Sequence, residues 1–292
     1  MTTTMNPTVA AIERVLDFAA PPDRVWQALT DSTEVAAWFP QRAEMPAEVG
    51  ETGWMEWDGH PRFLVRLEAL DPLQRLAWRW ASAAEPDFDA SASLVEWTLE
   101  PTARGGTRLH LRETGFETNA ARFGNVEGWF EELGELHDLL ATEPWHRPIR
   151  RTLTLRADRD RVWRAFADPD EFRGWWGSRS PVRLDPGWEG AFEFEGHGRH
   201  PVRFEVVEPP EHLVWRWSPD ETDGPIGDAD QQTVVEWLFV ARDDGGTDLR
   251  LMETGFTDPA KHADNDGGWT EILPGLQRLV DGEADEPSSS AG

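Results

Sequence analysis

Apolar and polar residues alternate in several short stretches of the chain, and one of these stretches occurs twice. In LAWRW, residues 76–80, Trp78 and Trp80 share one face of an extended segment and Arg79 lies on the other. The pattern returns as LVWRW at residues 213–217. It predicts a strand in each place, with the tryptophans directed into a core and Arg79 directed towards water.

Both strands belong to a repeat that covers most of the chain. DRVWQAL at residues 23–29 matches DRVWRAF at 160–166, and VEWTLEPTARGGTRLHLRETGF at 95–116 matches VEWLFVARDDGGTDLRLMETGF at 235–256. The second copy has three more residues between these blocks, within an acidic loop that contains Gly and Pro. A repeat unit of this length predicts two domains, each with its own core.

The segments between and around the copies set the expected boundaries. We expect domains at residues 9–142 and 149–282, joined by a linker at 143–148 in which two prolines favour a short, stiff connection. Residues 1–8 and 283–292 lack a pattern of apolar positions, and we expect them to be disordered.

Each copy shows the same order of predicted elements: a strand, two short helices, six strands and a long helix. In the first copy the opening strand is predicted at 9–18, the first helix in PPDRVWQALTD and the second in EVAAWF. This order predicts an α+β fold, an antiparallel sheet with its helices against one face. The long helices carry apolar residues at spacings of four, three and four, namely Trp129, Leu133, Leu136 and Leu140, then Trp269, Leu273, Leu276 and Val280.

The second long helix contains Pro274. A proline inside a helix removes an amide donor, so we expect a kink near Thr270 and two domains whose cavities are unequal. We also expect Asp266 to cap the N-terminus of this helix.

Composition and charge exclude or disfavour several classes of partner and site. The 292 residues include 55 acidic and 28 basic side chains, and the net charge of −27 disfavours nucleic acid and anionic membranes as partners. The absence of Cys excludes thiolate metal sites and nucleophiles, while 17 Trp and 14 Phe stand beside no Tyr. The sequence starts without a signal-peptide pattern and has no apolar run of membrane-spanning length, so we expect a cytoplasmic protein.

The chain resembles the family of activators of the heat-shock-protein-90 ATPase. The resemblance lies in the order of six motifs, DRVWxAL, GexG, LxWrW, VEWxL, GGTxLxLxEtGF and GWxxxLxxL. That family lies within the START-like superfamily of helix-grip domains, and the resemblance covers nearly all of both copies. It implies that each domain is a curved antiparallel sheet wrapped around the long C-terminal helix, with a deep cavity between them. By the same resemblance, superfamily members bind lipids, sterols, polyketides or plant hormones; some cyclise polyketides, and a few protect the producing organism from its own enediyne antibiotic.

An acidic residue ends the last strand of each copy, in LHLRETGF and LRLMETGF. By alternation Glu113 shares a face with Leu109 and Leu111, and Glu253 occupies the same position in the second copy. An inward carboxyl group among tryptophans has a raised pKa and is able to orient a ligand hydroxyl or to act as an acid or base. The alternative is that the strand ends or bulges there, so that the acid caps a turn or reaches solvent.

The aromatic residues of the inward faces form the candidate ligand site. Tryptophan offers a large flat apolar surface that stacks on planar polycyclic ligands, and the indole N–H groups and the two acids are candidate polar anchors. Because so many rigid rings are difficult to pack at normal density, we expect them to surround a cavity in each copy. The first-copy candidates are Trp38, Phe39, Trp57, Phe63, Trp78, Trp80, Trp97, Glu113, Phe116, Trp129 and Leu133. The second-copy candidates are Trp175, Trp176, Phe192, Phe194, Phe204, Trp215, Trp217, Trp237, Glu253, Phe256, Trp269 and Leu273.

The remaining motifs give weaker signals. His60 and His197 lie in equivalent turns, where a single histidine is more often solvated than catalytic. No spacing of ligands predicts a metal site, and neither a phosphate-binding glycine loop nor a nucleophile elbow occurs, so neither a metal nor another cofactor is expected.

The sequence therefore predicts a binding protein, a monomer or weak dimer, for a hydrophobic and planar aromatic small molecule. The preferred interpretation is a carrier, sequestering or self-resistance protein for a polyketide or enediyne-type antibiotic. Two alternatives are a polyketide cyclase or aromatase that uses Glu113 or Glu253, and a protein-interaction module of the co-chaperone type.

Overall fold

The computed structural model describes residues 9–82, 88, 92–228 and 231–282. The chain divides into two compact units between Arg147 and Pro148. This division lies in the segment expected to be the linker, where Pro144–His146 forms a single turn of 3-10 helix. The ends that we expect to be disordered, 1–8 and 283–292, lie outside the described residues.

The described part of the first unit is an antiparallel sheet with three helices. Its strands are β1 Ile12–Phe18, β2 Arg42–Glu44, β3 Thr52–Glu56, β4 Phe63–Asp71, β5 Arg75–Ser82, β6 Ser93–Pro101 and β7 Thr107–Thr114. They lie in the order β1-β7-β6-β5-β4-β3-β2 across the sheet. Its helices are α1 Pro22–Thr30, α2 Ser32–Val35 and α3 Asn119–Leu140.

The second unit repeats this plan with one strand fewer in its described residues. Its strands are β8 Ile149–Leu155, β9 Glu189–Phe194, β10 Gly198–Glu208, β11 His212–Trp217, β12 Thr233–Ala241 and β13 Thr247–Thr254, in the order β8-β13-β12-β11-β10-β9. Its helices are α4 Arg159–Ala167, α5 Pro169–Trp176 and α6 Pro259–Asp281.

The α+β prediction is confirmed, and three details of the predicted elements are wrong. Strand β1 begins at Ile12 rather than at residue 9, and α2 ends at Val35 instead of extending through EVAAWF. In the described residues of the second unit only five strands follow the short helices, and Pro181 occupies the position equivalent to Glu44 of β2. Proline has no amide hydrogen, so this position cannot donate a ladder hydrogen bond.

Alternation along β5 places its tryptophans as predicted. Trp78 is fully buried on the inward face, and in the second unit Trp215 is equally buried. Arg79 lies on the opposite face, with 31% of its side chain exposed, and it pairs with Glu68. The inward faces of both sheets are therefore apolar, and the long helices cover them.

The predicted apolar stripes of α3 and α6 are buried along their whole length. The prediction that Asp266 caps α6 is wrong, because the helix begins earlier, at Pro259. The Asp258 carboxylate accepts hydrogen bonds from the amides of Ala260 and Lys261, and a proline follows it at the first helical position, which together make a strong start signal. Asp266 instead lies within the helix and pairs with Arg151 at 2.6 Å.

A Gly-Gly-Thr turn, the GGT turn, joins the last two strands of each sheet at residues 105–107 and 245–247. These turns allow the last hairpin of each unit to lie close to the first strand of that unit. A Cβ atom on Gly106 would lie 2.2 Å from the Phe18 carbonyl oxygen, and one on Gly246 would lie 2.4 Å from that of Leu155. The glycines before them, Gly105 and Gly245, have φ values of 83° and 86°, which L side chains rarely adopt. These turns are therefore structural.

Candidate functional site

A buried carboxylate lies at the centre of the aromatic cluster in the first unit. Glu113, on β7, is fully buried. Its Oε1 accepts hydrogen bonds from Trp80 Nε1 at 3.0 Å, Ser93 Oγ at 2.5 Å and Asn125 Nδ2 at 2.9 Å. Its Oε2 accepts one from Trp129 Nε1 at 2.6 Å. The side chain therefore joins β5, β6 and α3, and the alternative of a solvent-exposed or turn-capping acid is wrong.

The second unit repeats this arrangement, with Thr233 in the place of Ser93. Glu253 Oε1 accepts from Trp217 Nε1 at 2.9 Å, Thr233 Oγ1 at 2.6 Å and Asn265 Nδ2 at 2.9 Å, and Oε2 accepts from Trp269 Nε1 at 2.6 Å. Burial raises the pKa of Glu253 above its usual value, because lost hydration outweighs the four donors that favour the ionised form.

These hydrogen bonds fix the directions of four tryptophans. The N–H edges of Trp80 and Trp129 are turned towards Glu113, and those of Trp217 and Trp269 towards Glu253. The indole N–H groups are thus engaged within the protein, and part of each ring borders the adjacent cavity. The acids lie behind these rings rather than on the cavity surface.

A cavity of about 240 Å³ lies between the sheet and α3 in the first unit. Its aromatic lining residues are Phe39, Trp57, Phe63, Trp80 and Trp129, and its polar ones are His60, Asn125 and Glu132. Gly124 and Gly128 of α3 complete it. Burial raises the pKa of Glu132 to about 7, and repulsion by Glu135 and Glu131 adds to the shift, while the hydrogen bond from Trp57 opposes it.

The second unit has a cavity of about 860 Å³ in the equivalent place. Trp176, Phe194, Trp217, Trp269 and Ile272 contribute its apolar surface. Its polar and charged lining residues are His197, His200, Glu221, Lys261, Asp264, Asn265 and Glu271. This cavity is large enough for a polycyclic molecule, since ligand pockets commonly have volumes of about 300 to 1,000 Å³.

The cavities are unequal, as the sequence predicts, and the lining of the second includes residues of the longer loop after β11. Pro274 does not line the second cavity, whereas Pro219 and Glu221, from the longer loop after β11, do. Side-chain differences add to this, since His200 stands where the first unit has Phe63.

Most of the other candidate aromatic residues are buried in the cores of the two units, and Phe116 is half-buried. Trp78 and Trp97 lie 5.8 Å apart between ring centroids, as do Trp215 and Trp237. The candidates that line neither of these two cavities are Trp38, Trp78, Trp97, Glu113, Phe116 and Leu133 in the first unit, and Trp175, Phe192, Phe204, Trp215, Trp237, Glu253, Phe256 and Leu273 in the second. The expectation that the indoles surround empty space therefore holds for only part of the set.

Several residues of the site were not predicted. Asn125 and Asn265 lie four residues before Trp129 and Trp269, on the same helical face, so the repeat and the helical period together carried a signal for them. Glu132 gave no such signal, because its counterpart in the second copy is Ile272.

The histidines of the predicted turns border the cavities. His60 lines the first, where it is exposed, and His197 lines the second. Within the described residues no group of three His, Asp or Glu side chains is arranged to hold a metal ion. No helix of the described residues is long and apolar enough to cross a membrane.

Comparison with known proteins gives a clear family match. The sequence model of the family described as "Activator of Hsp90 ATPase homolog 1-like protein" matches residues 19–141 and again residues 156–281. These two ranges cover most of both units. No curated protein matches the chain.

Several solved structures are similar to this chain. Protein MLL2253 from Mesorhizobium loti is 27% identical, over 45% of this chain and 96% of its own, with a TM-score of 0.41. DynU16, a protein in the dynemicin biosynthetic locus, is 19% identical over 92% of this chain and 98% of its own, with a TM-score of 0.40. The Aha1 dimer from Colwellia psychrerythraea is 20% identical over 46% of this chain and 98% of its own, also with a TM-score of 0.40.

Proposed function

We propose that this chain, which belongs to the Activator of Hsp90 ATPase homolog 1-like family, binds a hydrophobic, planar aromatic small molecule in its second unit. The observation that supports this is the cavity of about 860 Å³ whose walls include Trp217 and Trp269. Both rings are held by Glu253, so their surfaces are preorganised before a ligand arrives.

The lining of the second cavity suits a flat molecule with polar substituents. Trp176, Phe194, Trp217 and Trp269 offer aromatic surfaces for stacking. His197 and Lys261 place polar groups near the same space, where hydroxyl or carbonyl groups of the ligand would be recognised. Hydroxylated polycyclic aromatic molecules of the polyketide type combine both properties.

The position of the acids favours binding over catalysis. A cyclase that used Glu113 or Glu253 would need the carboxyl group within hydrogen-bond reach of its substrate. Each of these carboxylates already accepts four hydrogen bonds and lies behind the tryptophans that line the cavities. A carrier, sequestering or self-resistance role for an aromatic natural product, including one of enediyne type, is therefore our preferred proposal.

Titration with alizarin, a planar dihydroxyanthraquinone, tests this proposal. Binding is measured by calorimetry and by quenching of tryptophan fluorescence in the intact chain. Gly268 lines the second cavity, and a Cβ atom added there meets nothing within 4 Å, so Gly268→Leu fills the cavity without a backbone clash. Gly128→Leu is the matched change in the first unit.

We expect alizarin to bind the native chain and Gly128→Leu alike, and to bind Gly268→Leu at least about tenfold more weakly, since displacing a ligand from stacked aromatic walls removes well over 1.4 kcal/mol. Absence of binding by alizarin and by related tricyclic and tetracyclic quinones would count against the proposal. Retention of a purified Hsp90-type chaperone by the immobilised chain, together with that absence, would favour the co-chaperone alternative that the family name suggests.

A further inference from the structure

We propose that the smaller cavity of the first unit is a binding site for an organic ammonium group. The proposal concerns a different cavity and a different ligand chemistry from the function proposed above, and does not depend on it. It rests on two features of the cavity lining, a continuous set of aromatic rings and one carboxylate that faces neither Lys nor Arg among the described lining residues.

Five aromatic side chains form a nearly continuous wall. Phe39 stacks on Trp129 with ring centroids 5.1 Å apart and meets Trp57 edge to face at 5.2 Å. Trp57 meets Phe63 at 5.6 Å and 90°, and Phe63 lies 5.6 Å from Trp80. Aromatic boxes of this kind attract cations, because the face of each ring carries partial negative charge.

The buried acid of the first unit strengthens this arrangement. Trp80 and Trp129 both donate their indole N–H groups to Glu113. Their electropositive N–H edges are therefore turned away from the cavity, which removes the part of each indole that repels a cation. In an otherwise neutral aromatic pocket this orientation favours a positively charged guest.

Glu132 supplies a negative charge on the cavity wall. Its Oε1 accepts a long hydrogen bond of 3.3 Å from Trp57 Nε1, which also donates to the Phe39 carbonyl oxygen at 3.1 Å. The described lining residues include neither Lys nor Arg. The raised pKa of Glu132, about 7, fits a partly desolvated carboxylate without a cationic partner, and an ammonium ligand would supply that partner.

The volume of about 240 Å³ limits the size of the guest. A cavity of about 150 Å³ holds a benzene molecule, so the site accommodates a trimethylammonium group with a short chain but not a polycyclic system. The equivalent of Glu132 is Ile272 in the second unit, which makes this carboxylate specific to the first.

Choline and its neutral isostere 3,3-dimethylbutan-1-ol form the test, because they differ only in replacing the quaternary nitrogen by carbon. Both are titrated into the full chain by calorimetry at about pH 8, where Glu132 is ionised, since its pKa lies about one unit lower. About 0.15 M salt screens the general attraction of cations to a chain of net charge −27. We expect choline to bind at least about tenfold more tightly than the isostere, because a desolvated cation–π site favours the charged probe by at least this factor.

We expect Glu132→Gln to remove most of this preference for choline. The control is Glu131→Gln, which removes the same charge at an exposed neighbouring position on α3, and we expect it to leave the preference intact. Gly128→Leu, which fills the first cavity, is expected to abolish binding of both probes. Near-ultraviolet circular dichroism confirms that each variant keeps its tertiary packing, and Trp57→Leu, which removes one wall, provides a second route to the same loss of preference.

Three results would overturn the proposal: equal affinity for choline and the isostere, an equal loss in Glu131→Gln and Glu132→Gln, or choline binding that survives Gly128→Leu. Binding of choline should also weaken as the pH falls through about 7, as Glu132 takes up a proton. The other titratable groups near that carboxyl are Glu131 and Glu135 on α3 and His60 across the cavity. The variant His60→Ala separates the contribution of that histidine. None of these outcomes depends on whether alizarin binds the second cavity.

Discussion

The Trp269 indole donates a hydrogen bond of 2.6 Å to the Glu253 carboxylate, and this contact joins the long helix of the second unit to its sheet. The same contact, with the same length, joins Trp129 to Glu113 in the first unit. Each ring is fixed at its N–H edge by the acid, and part of its remaining surface borders the adjacent cavity. In the proposed function the acids therefore position the tryptophans and do not contact the ligand.

Removing one of the hydrogen-bond donors to Glu253 should destabilise the second unit. Thr233→Val keeps the shape of the side chain but deletes the 2.6 Å hydrogen bond to Glu253. We expect the free energy of unfolding to fall by about 1–3 kcal/mol, the range for removing one partner of a buried hydrogen bond. Urea denaturation measures it, with Thr152→Val on the exposed face of β8 as the control, expected within about 0.5 kcal/mol of the native protein. A similar small effect of both variants would show that the bond contributes little.

Glu253 should make the stability of the second unit depend on pH. Burial raises its folded-state pKa above the value of about 4.3 for an unfolded glutamate. Its contribution to stability is therefore fully present below the unfolded pKa and is lost as the pH rises through the folded pKa. Glu253→Gln cannot ionise, so the native protein should lose stability relative to this variant as the pH rises from acidic to alkaline. Parallel denaturation curves at several pH values test this, and a difference that grows in favour of the native protein would contradict it.

The indole N–H of Trp57 should lower the pKa of Glu132, the acid that lines the first cavity. Its N–H donates to Glu132 and lowers the pKa of that carboxyl, against the larger effect of burial, to a net value of about 7. Trp57→Phe removes the donor and retains a ring, so the pKa of Glu132 should rise further. Carbon-13 NMR of the labelled carboxyl group follows the titration. An unchanged or lowered pKa would show that the hydrogen bond is not formed in solution.

The GGT turn should tolerate no side chain at its second glycine. Gly106→Ala places a Cβ atom 2.2 Å from the Phe18 carbonyl oxygen, so β1 or the hairpin must shift. We expect a loss of about 1–3 kcal/mol in the free energy of unfolding, as for other overpacked sites. Gly124→Ala in α3, where an added Cβ meets nothing within 4 Å, should be neutral or stabilising, because alanine favours helix. Equal effects of the two changes would contradict this account of the turn.

The repeated patterns of the sequence determined most of the architecture. Alternation in β5 and the apolar stripe of α3 were sufficient to predict which faces are buried, because burial of one face imposes a period on the chain. Local details were less accessible. Asp266 resembles a helix cap in sequence, but Asp258 followed by Pro259 competes better and starts the helix eight residues earlier.

The site was only partly predictable for a different reason. Alternation shows that Trp78 and Trp80 both face inward, but it does not show that Trp80 borders a cavity while Trp78 packs against Trp97. That distinction depends on which rings each tryptophan packs against and on the hydrogen bond that orients Trp80. Glu132 was missed because an acidic residue on a long helix normally faces water, and only the tertiary structure brings it to the wall of the cavity.

A crystal structure of the chain with alizarin tests the central proposal most directly. The proposal predicts electron density for the three fused rings in the second cavity, against Trp217 and Trp269, with both indole N–H groups still bonded to Glu253. Density for the ligand only at the protein surface, or a second cavity closed by its own side chains at saturating alizarin, would contradict it.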